Sequence, residues 1–233
     1  MILQLLRDPN IDPVLFLVKL GLLAIALVMA ITVHEFSHAL VATRLGDFTA
    51  RSLGRLTLNP LAHLDPFGTA LLFFAGFGWG RPVPVNPLHL RGDMRTGMAL
   101  VSFAGPAANV ALAALLGLIL RLDLLKWHPP AAYPRPFLET AFAWVAADIV
   151  AYVIFMNLLL AVFNLIPVSP LDGFKVAVGL LPRDAAAAFA RTEAYGPGIL
   201  LLLIGADYFF GTRLLFFIHP AVDFLERLIV GRL

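Results

Sequence analysis

Apolar runs, several of them close to twenty residues long, alternate along this chain with short connections rich in Gly, Pro and charge. The first run, Val14 to about Arg44, reads as one helix, and the stretch from Val14 to Val33 holds a single charge, Lys19. Gly46–Pro66 (GDFTARSLGRLTLNPLAHLDP) is polar, and its short alternating pieces predict a small hairpin-like connection. Phe67–Trp79 is apolar but short, and GWGRPVPVNP closes it. Thr96–Leu122 and about Leu138–Ile166 are strong spans separated by HPPAAYPRP at 128–136, and the second runs into NLIPVSPLDG. Arg183–Glu193 is an alanine-rich segment with a polar face, followed by apolar stretches at 197–210 and 213–230. A ~30 Å hydrocarbon core takes about 20 apolar residues of helix. The pattern therefore predicts an all-α integral membrane protein, a polytopic bundle of about five to six transmembrane segments in which Phe67–Trp79 either crosses fully or is re-entrant, the re-entrant version being favoured. It forms a single membrane-embedded domain over 1–233, with a core at 14–182 and a C-terminal helical pair at 196–230.

Composition narrows the solvent and the chemistry. Hydrophobic residues make up 60% of the 233 and charged residues 14%, with a mean hydropathy of +0.87; soluble domains carry about a quarter charged residues. The formal charge of +2 is too small to point to nucleic acid, and the arginine excess tracks membrane orientation instead. There is no cysteine, which excludes disulfides and thiolate metal sites. The N-terminus lacks the basic start, short apolar core and small-residue cleavage site of a removable signal peptide, so the first run is expected to be a retained span.

Against that background ITVHEFSHALVATRLGD, at 31–47, stands out, because it sets two histidines and a glutamate within an apolar helix. Positions i and i+4 share a helix face, so His34 and His38 can present two imidazoles to one metal. Glu35 lies beside them, within reach of a water on that metal. This is the HExxH arrangement of two zinc ligands and a general base for amide hydrolysis. The plainer reading, polar residues at a wet helix end helped by Thr32 and Ser37, is weaker because ionisable groups inside membrane helices are costly and usually functional.

Two histidines do not complete a catalytic zinc site, which normally has three protein ligands and a water. Asp172 is the candidate third ligand. Pro167 and Pro170 end the helix after Asn164, and Gly173 permits tight backbone beside the aspartate, so the carboxylate is expected on non-helical backbone at the end of a span. Taken alone, that stretch reads equally well as an interfacial turn with a solvated Asp.

Together HEFSH, NPLAHLDPFGT, AGPAAN and NLIPVSPLDG, in this order between spans, resemble the site-2 protease family of intramembrane zinc metalloproteases, and most closely its small bacterial members without a PDZ domain. The resemblance covers roughly residues 29 to 182. It implies zinc ligation by His34, His38 and Asp172, one zinc per chain, with Glu35 as the catalytic base. It also implies a substrate-carbonyl or oxyanion contact for Asn164, which on residue type alone would be a helix cap facing the same way as Asn157. The family pattern NxxPxxxxDG falls on Asn164, Pro167, Asp172 and Gly173 without departure. The tail beyond about Pro182 matches in hydropathy only, and the 81–96 connection is too short for a PDZ insertion.

Other polar residues read more plainly. Asn109 is expected to hydrogen-bond between helices, with Gly105 allowing close packing. His63, beside Asp65, is expected to be structural; His89, His128 and His219 read as interfacial, and Asp148, Asp207 and Asp223 as lying near membrane surfaces.

If Phe67–Trp79 dips in and returns, the HEFSH and NLIP helices run parallel and the three ligands gather at one face. Arg44, Arg51, Arg55, Arg81, Arg91, Arg95, Lys175, Arg183 and Arg191 then share that side, with Arg121, Lys126 and Arg135 opposite. By the positive-inside rule the crowded side is cytoplasmic. The expected function is regulated intramembrane proteolysis of single-span membrane proteins, in the cell membrane of a prokaryote. Two rivals are a divalent-metal transporter or metal-binding protein using the same ligands, and a catalytically silent scaffold. Oligomeric state is not legible.

Overall fold

The computed structural model describes residues 13–68, 80–125, 142–212 and 215–231. Among these the helices are α1 (Pro13–Arg44), α2 (Thr49–Ser52), α3 (Met94–Arg121), α4 (Phe142–Asn164), α5 (Asp172–Leu180), α6 (Arg183–Ala190), α7 (Gly196–Phe210) and α8 (Ile218–Val230). Among the described residues four stretches are long and apolar enough to cross a membrane: Leu17–Arg44, Met94–Arg121, Val145–Asn164 and Arg183–Asp207. The fourth is divided by the turn Glu193–Tyr195 between α6 and α7. The expected dip at 67–79 lies outside the described residues from position 69 onward, as does the loop at 128–136. The final apolar stretch, 213–230, gives the 13-residue helix α8, about 20 Å long at 1.5 Å per residue and so shorter than a bilayer core.

The hairpin expected within 46–66 does not form. Asp47 accepts the Thr49 backbone N–H at 3.0 Å and turns the chain into the single helical turn of α2. Asn59 then caps a 3-10 turn at Pro60–Ala62 by accepting from Leu61 N–H at 3.1 Å. These local side-chain bonds compete successfully with a ladder too short to persist. The strand-like pairing is instead an isolated antiparallel bridge between Leu64 and Gly80.

Three long helices make the frame. Ala26, Leu27 and Ala30 of α1 form one layer with Tyr152, Val153 and Met156 of α4. Asn109 joins Ala30 to Asn157, and further along both segments His34 and His38 meet Asp172, so the two helices run parallel. Leu112 and Leu116 of α3 join that layer, whereas Val101 packs with Ala42 and Leu90, so α3 runs antiparallel to both. In lipid the gain from association is contact rather than desolvation, and the small residues Ala26 and Ala30 provide that contact by letting backbones approach. Arg91 N–H donates to Leu45 O at 2.7 Å, joining the two ends of the connection between α1 and α3. The ends of α1 and α4 and the start of α3 thus lie at one end of the frame. On the other flank α8 inserts Ile218, Val222 and Val230 into a layer with Ala113, Leu120, Ile154 and Leu158. Arg121 caps α8 by donating to the carbonyls of Leu228 and Ile229.

Candidate active site

The polar face of α1 is self-supporting at three positions. Thr32, Ser37 and Thr43 donate their hydroxyls to the carbonyls of Val28, Val33 and Ala39, at 2.6, 2.7 and 2.7 Å. Each hydroxyl is satisfied four residues back along its own helix and needs no water. His34 and His38 point the other way, toward α3 and α5, with ring centroids 4.6 Å apart at 90°.

The chain leaves α4 at Asn164 and folds back through Leu165–Leu171, including a cis Ser169–Pro170 bond, before α5 begins. Asp172 is therefore not on non-helical backbone, as expected, but is the first residue of α5, with Leu171 as its cap. The fold-back is tight enough that a side chain at position 173 would collide with the carbonyls of Leu165 and Ile166, so the glycine is obligatory. This places Asp172 Oδ2 3.0 Å from His34 Nε2 and 3.2 Å from His38 Nε2. The three residues offer ligand atoms all within 4.8 Å of one another, the one such cluster among the described residues.

The protons on the two rings can be assigned from fixed acceptors. His38 Nδ1 lies 2.7 Å from Val101 O, a group that can only accept, so Nδ1 carries the hydrogen. For His34 the assignment runs through two asparagines. Asn157 Nδ2 donates to Val153 O at 2.8 Å, which leaves Asn157 Oδ1 to accept from Asn109 Nδ2 at 2.7 Å. Asn109 Nδ2 also reaches Ala30 O at 3.0 Å, so Asn109 Oδ1 must face His34 Nδ1, at 2.7 Å, and accept from it. Both Asn109 and Asn157 are completely buried. In each neutral ring Nε2 is then a bare lone pair, and both lone pairs aim at Asp172 Oδ2, a buried oxygen with no hydrogen-bond partner.

Three acceptors converging without a proton among them suit a cation. Two imidazoles and a carboxylate are a common catalytic zinc set, and the outward Nδ1–H of each ring is held by an acceptor, as zinc-ligating histidines normally are. The floor of the site is Gly105 of α3. A β-carbon there would lie 2.5 Å from His38 Nε2 and 2.7 Å from His34 Cε1, so no larger residue fits beneath the rings. Glu35 is held from above, its Oε2 accepting the Val83 N–H at 2.9 Å.

The other sequence candidates fall elsewhere. Asn164 donates Nδ2 to Leu160 O at 3.0 Å within its own helix and makes no bond to the ligand cluster. His63 is fully buried, with Nε2 2.8 Å from Thr57 O, and is not part of the cluster. His89 is exposed and sits 3.2 Å from Asp47. Asp47 is buried and takes hydrogen bonds from Thr49 and Asn86; burial pushes its carboxyl up, and those bonds outweigh burial and hold it below the usual carboxylate range. Asp207 accepts from Thr212 and from Leu215 N–H, and His128 lies outside the described residues. Sequence reasoning read Asn109 as an interhelical bonder without finding that its partner is His34, and it missed Asn157, Gly105 and the Val83 amide as parts of the site. AGPAAN was the available signal, since it sets a small residue and an amide on one face of a span.

Comparison with known proteins decides the family. The sequence model of peptidase family M50 matches residues 128–205, which include Asp172. YwhC of Bacillus subtilis, assigned as a zinc metalloprotease, is 43% identical over 181 residues, 78% of each chain. The chain belongs to peptidase family M50. This is the site-2 protease family, and membership together with the HExxH helix makes the chain a zinc metalloprotease. Rip2 of Mycolicibacterium smegmatis, assigned likewise, is 32% identical over 179 residues, 76% of this chain and 63% of its own length. Rip2 of Mycobacterium tuberculosis H37Rv is 32% identical over 190 residues, 78% and 68% of the two chains. No solved structure matches the chain significantly.

Proposed function

We propose that this M50 protease hydrolyses peptide bonds in or beside the membrane-spanning segments of single-span membrane proteins, as in regulated intramembrane proteolysis, using one zinc per chain. The observation that carries the proposal is the convergence of His34 Nε2, His38 Nε2 and Asp172 Oδ2 on one point, with both histidines on a helix long and apolar enough to cross a bilayer. Bound there, zinc would supply a water of pKa near 7 and polarise the scissile carbonyl. The chain's own residues do the rest. His34 and His38 are aimed by Asn109 and Val101. Glu35 takes a proton from the attacking water and passes it to the leaving amine. Asn164, the last residue of α4, donates one amide hydrogen to Leu160 O and would give the other to the substrate carbonyl. A peptide bond inside a helix is shielded by its own hydrogen bonding, so the substrate must unwind locally before attack.

Among the described residues the site end of the frame also gathers Arg44, Arg51, Arg55, Arg91, Arg95 and Lys175, against Lys19, Arg121 and Arg227 at the far end. That asymmetry supports a site near the cytoplasmic face of a prokaryotic cell membrane. A transporter would need a path onward from the ligands, and the buried Asn109–Asn157 layer beneath them speaks against one.

The test pairs metal content with cleavage. Wild type, Glu35→Gln and Asp172→Asn are purified in detergent, assayed for zinc, and offered single-span model peptides with helix-breaking residues. The proposal expects Glu35→Gln to keep zinc and lose cleavage, and Asp172→Asn to lose both. Cleavage at the wild-type rate by Glu35→Gln would sink it.

A further inference from the structure

Between Gly80 and Asn86 the chain is extended and runs as a strap along α1 beside Glu35. It is tied at both ends and in the middle. Gly80 lies so close that a β-carbon would come within 3.1 Å of both His63 O and Ile31 Cγ2, one turn before Glu35. Arg81 N–H donates to His63 O at 2.8 Å, and Asn86 N–H donates to Asp47 Oδ2 at 2.7 Å. Between these anchors Pro82 and Pro84 have no N–H, so Val83 is the one backbone donor its neighbours leave at that point. That donor meets Glu35 Oε2 at 2.9 Å.

Arg55 locks the same strap from the other side. Its Nη2 donates to the carbonyl of Arg81, so the Arg81 residue is gripped by His63 at its nitrogen and by Arg55 at its oxygen. The Arg55 side chain is only 6% exposed and has no carboxylate within ion-pair distance among the described residues. Burying an unpaired guanidinium is costly. Burial disfavours the Arg55 charge and Arg81 opposes it, while Glu35 favours it from beyond ion-pair distance.

We propose that Arg55 and the Val83 amide are positioning groups for Glu35: the strap, clamped by Arg55, presents a fixed N–H that holds one carboxylate oxygen so that the other is aimed at the attacking water. A glutamate on a helix has three free torsions, and fixing one oxygen on rigid backbone removes most of that freedom before the reaction begins. Neither group bonds to His34, His38 or Asp172: Arg55 holds the Arg81 carbonyl and the Val83 amide holds Glu35. The inference rests on the reading of Glu35 as the base, so its test must separate the two.

The experiment replaces Val83 by α-hydroxyisovalerate through nonsense suppression, which turns the amide into an ester and puts an oxygen where the N–H was while keeping the side chain. Arg55→Met and Arg55→Lys are made alongside, with Glu35→Gln as the control for the parent reading. Each is assayed for zinc by mass spectrometry and for kcat and KM on one single-span model peptide in detergent. Loss of an outer-shell partner typically costs 10–100-fold. The ester and Arg55→Met should each lower kcat by about that factor, with KM and zinc content within about twofold of wild type. Arg55→Lys, which keeps a buried donor and the charge, should recover most of the rate. The ester combined with Arg55→Met should be little worse than either alone, because both act through one strap. Full kcat in a zinc-replete ester enzyme would overturn the proposal. So would loss of zinc in parallel with rate, since the strap would then be holding the fold and not the base. Undiminished cleavage by Glu35→Gln would instead refute the parent reading.

Discussion

His34 Nδ1 and Asn109 Oδ1 meet at 2.7 Å across the α1–α3 interface, and the amide that receives the histidine proton is itself pinned by two other helix positions. Asn109→Ala removes the acceptor and frees the ring to rotate or change tautomer. Zinc affinity should fall by about 10–100-fold, read by competition with a chromogenic chelator. Asn157→Ala should have a smaller effect, because Asn109 keeps its bond to Ala30 O. An Asn157 effect equal to the Asn109 effect would mean that the relay acts as one unit.

Gly105→Ala should abolish stoichiometric zinc binding while the bundle still folds. The added methyl would occupy the space 2.5 Å from His38 Nε2, and the obstructing atoms are the ligands themselves. Circular dichroism and zinc analysis on one preparation check both halves of the expectation.

Asp172→Asn should lose the stabilisation that zinc confers. Adding zinc should raise the melting temperature of the wild type and leave that of Asp172→Asn unchanged, by the usual linkage of ligand to stability.

Asp47 gives the pH dependence. Its folded-state carboxyl is held below 3.8, chiefly against burial, by the bonds from Thr49 and Asn86. A depressed carboxylate contributes stability that is fully present above the unfolded value and is lost as pH falls through the folded one. The gap in melting temperature between wild type and Asp47→Asn should stay constant from pH 7 to about 5 and close below about 4. A gap that widened on acidification would contradict the assignment.

The spans and the ligand candidates were legible because each leaves a mark within one helix turn or one apolar run: His34 and His38 by their spacing, α1 by its length. What the sequence hid depends on levels between helices. Nothing local says that Ala30, Asn109 and Asn157 share one height, or that Val83, far along the chain from Glu35, returns to it. Asp172 was found by type and misplaced by conformation, because the prolines before it signal the end of α4 and not the immediate start of α5. The hairpin failed for the opposite reason: Asp47 and Asn59 each make turns strong enough to override a weak alternation.

The parallel pairing of α1 with α4 fixes the order in which this enzyme can come alive. The two histidines are synthesised first, yet their outward nitrogens find acceptors only when α3 has threaded back beside them, and Asp172 follows later still, after α4. Since domains and helices enter the membrane as the ribosome delivers them, a nascent chain carries no complete metal cage until most of it is inserted. Maturation is thereby coupled to the arrival of Asp172, and a copy that stops before it lacks the third ligand.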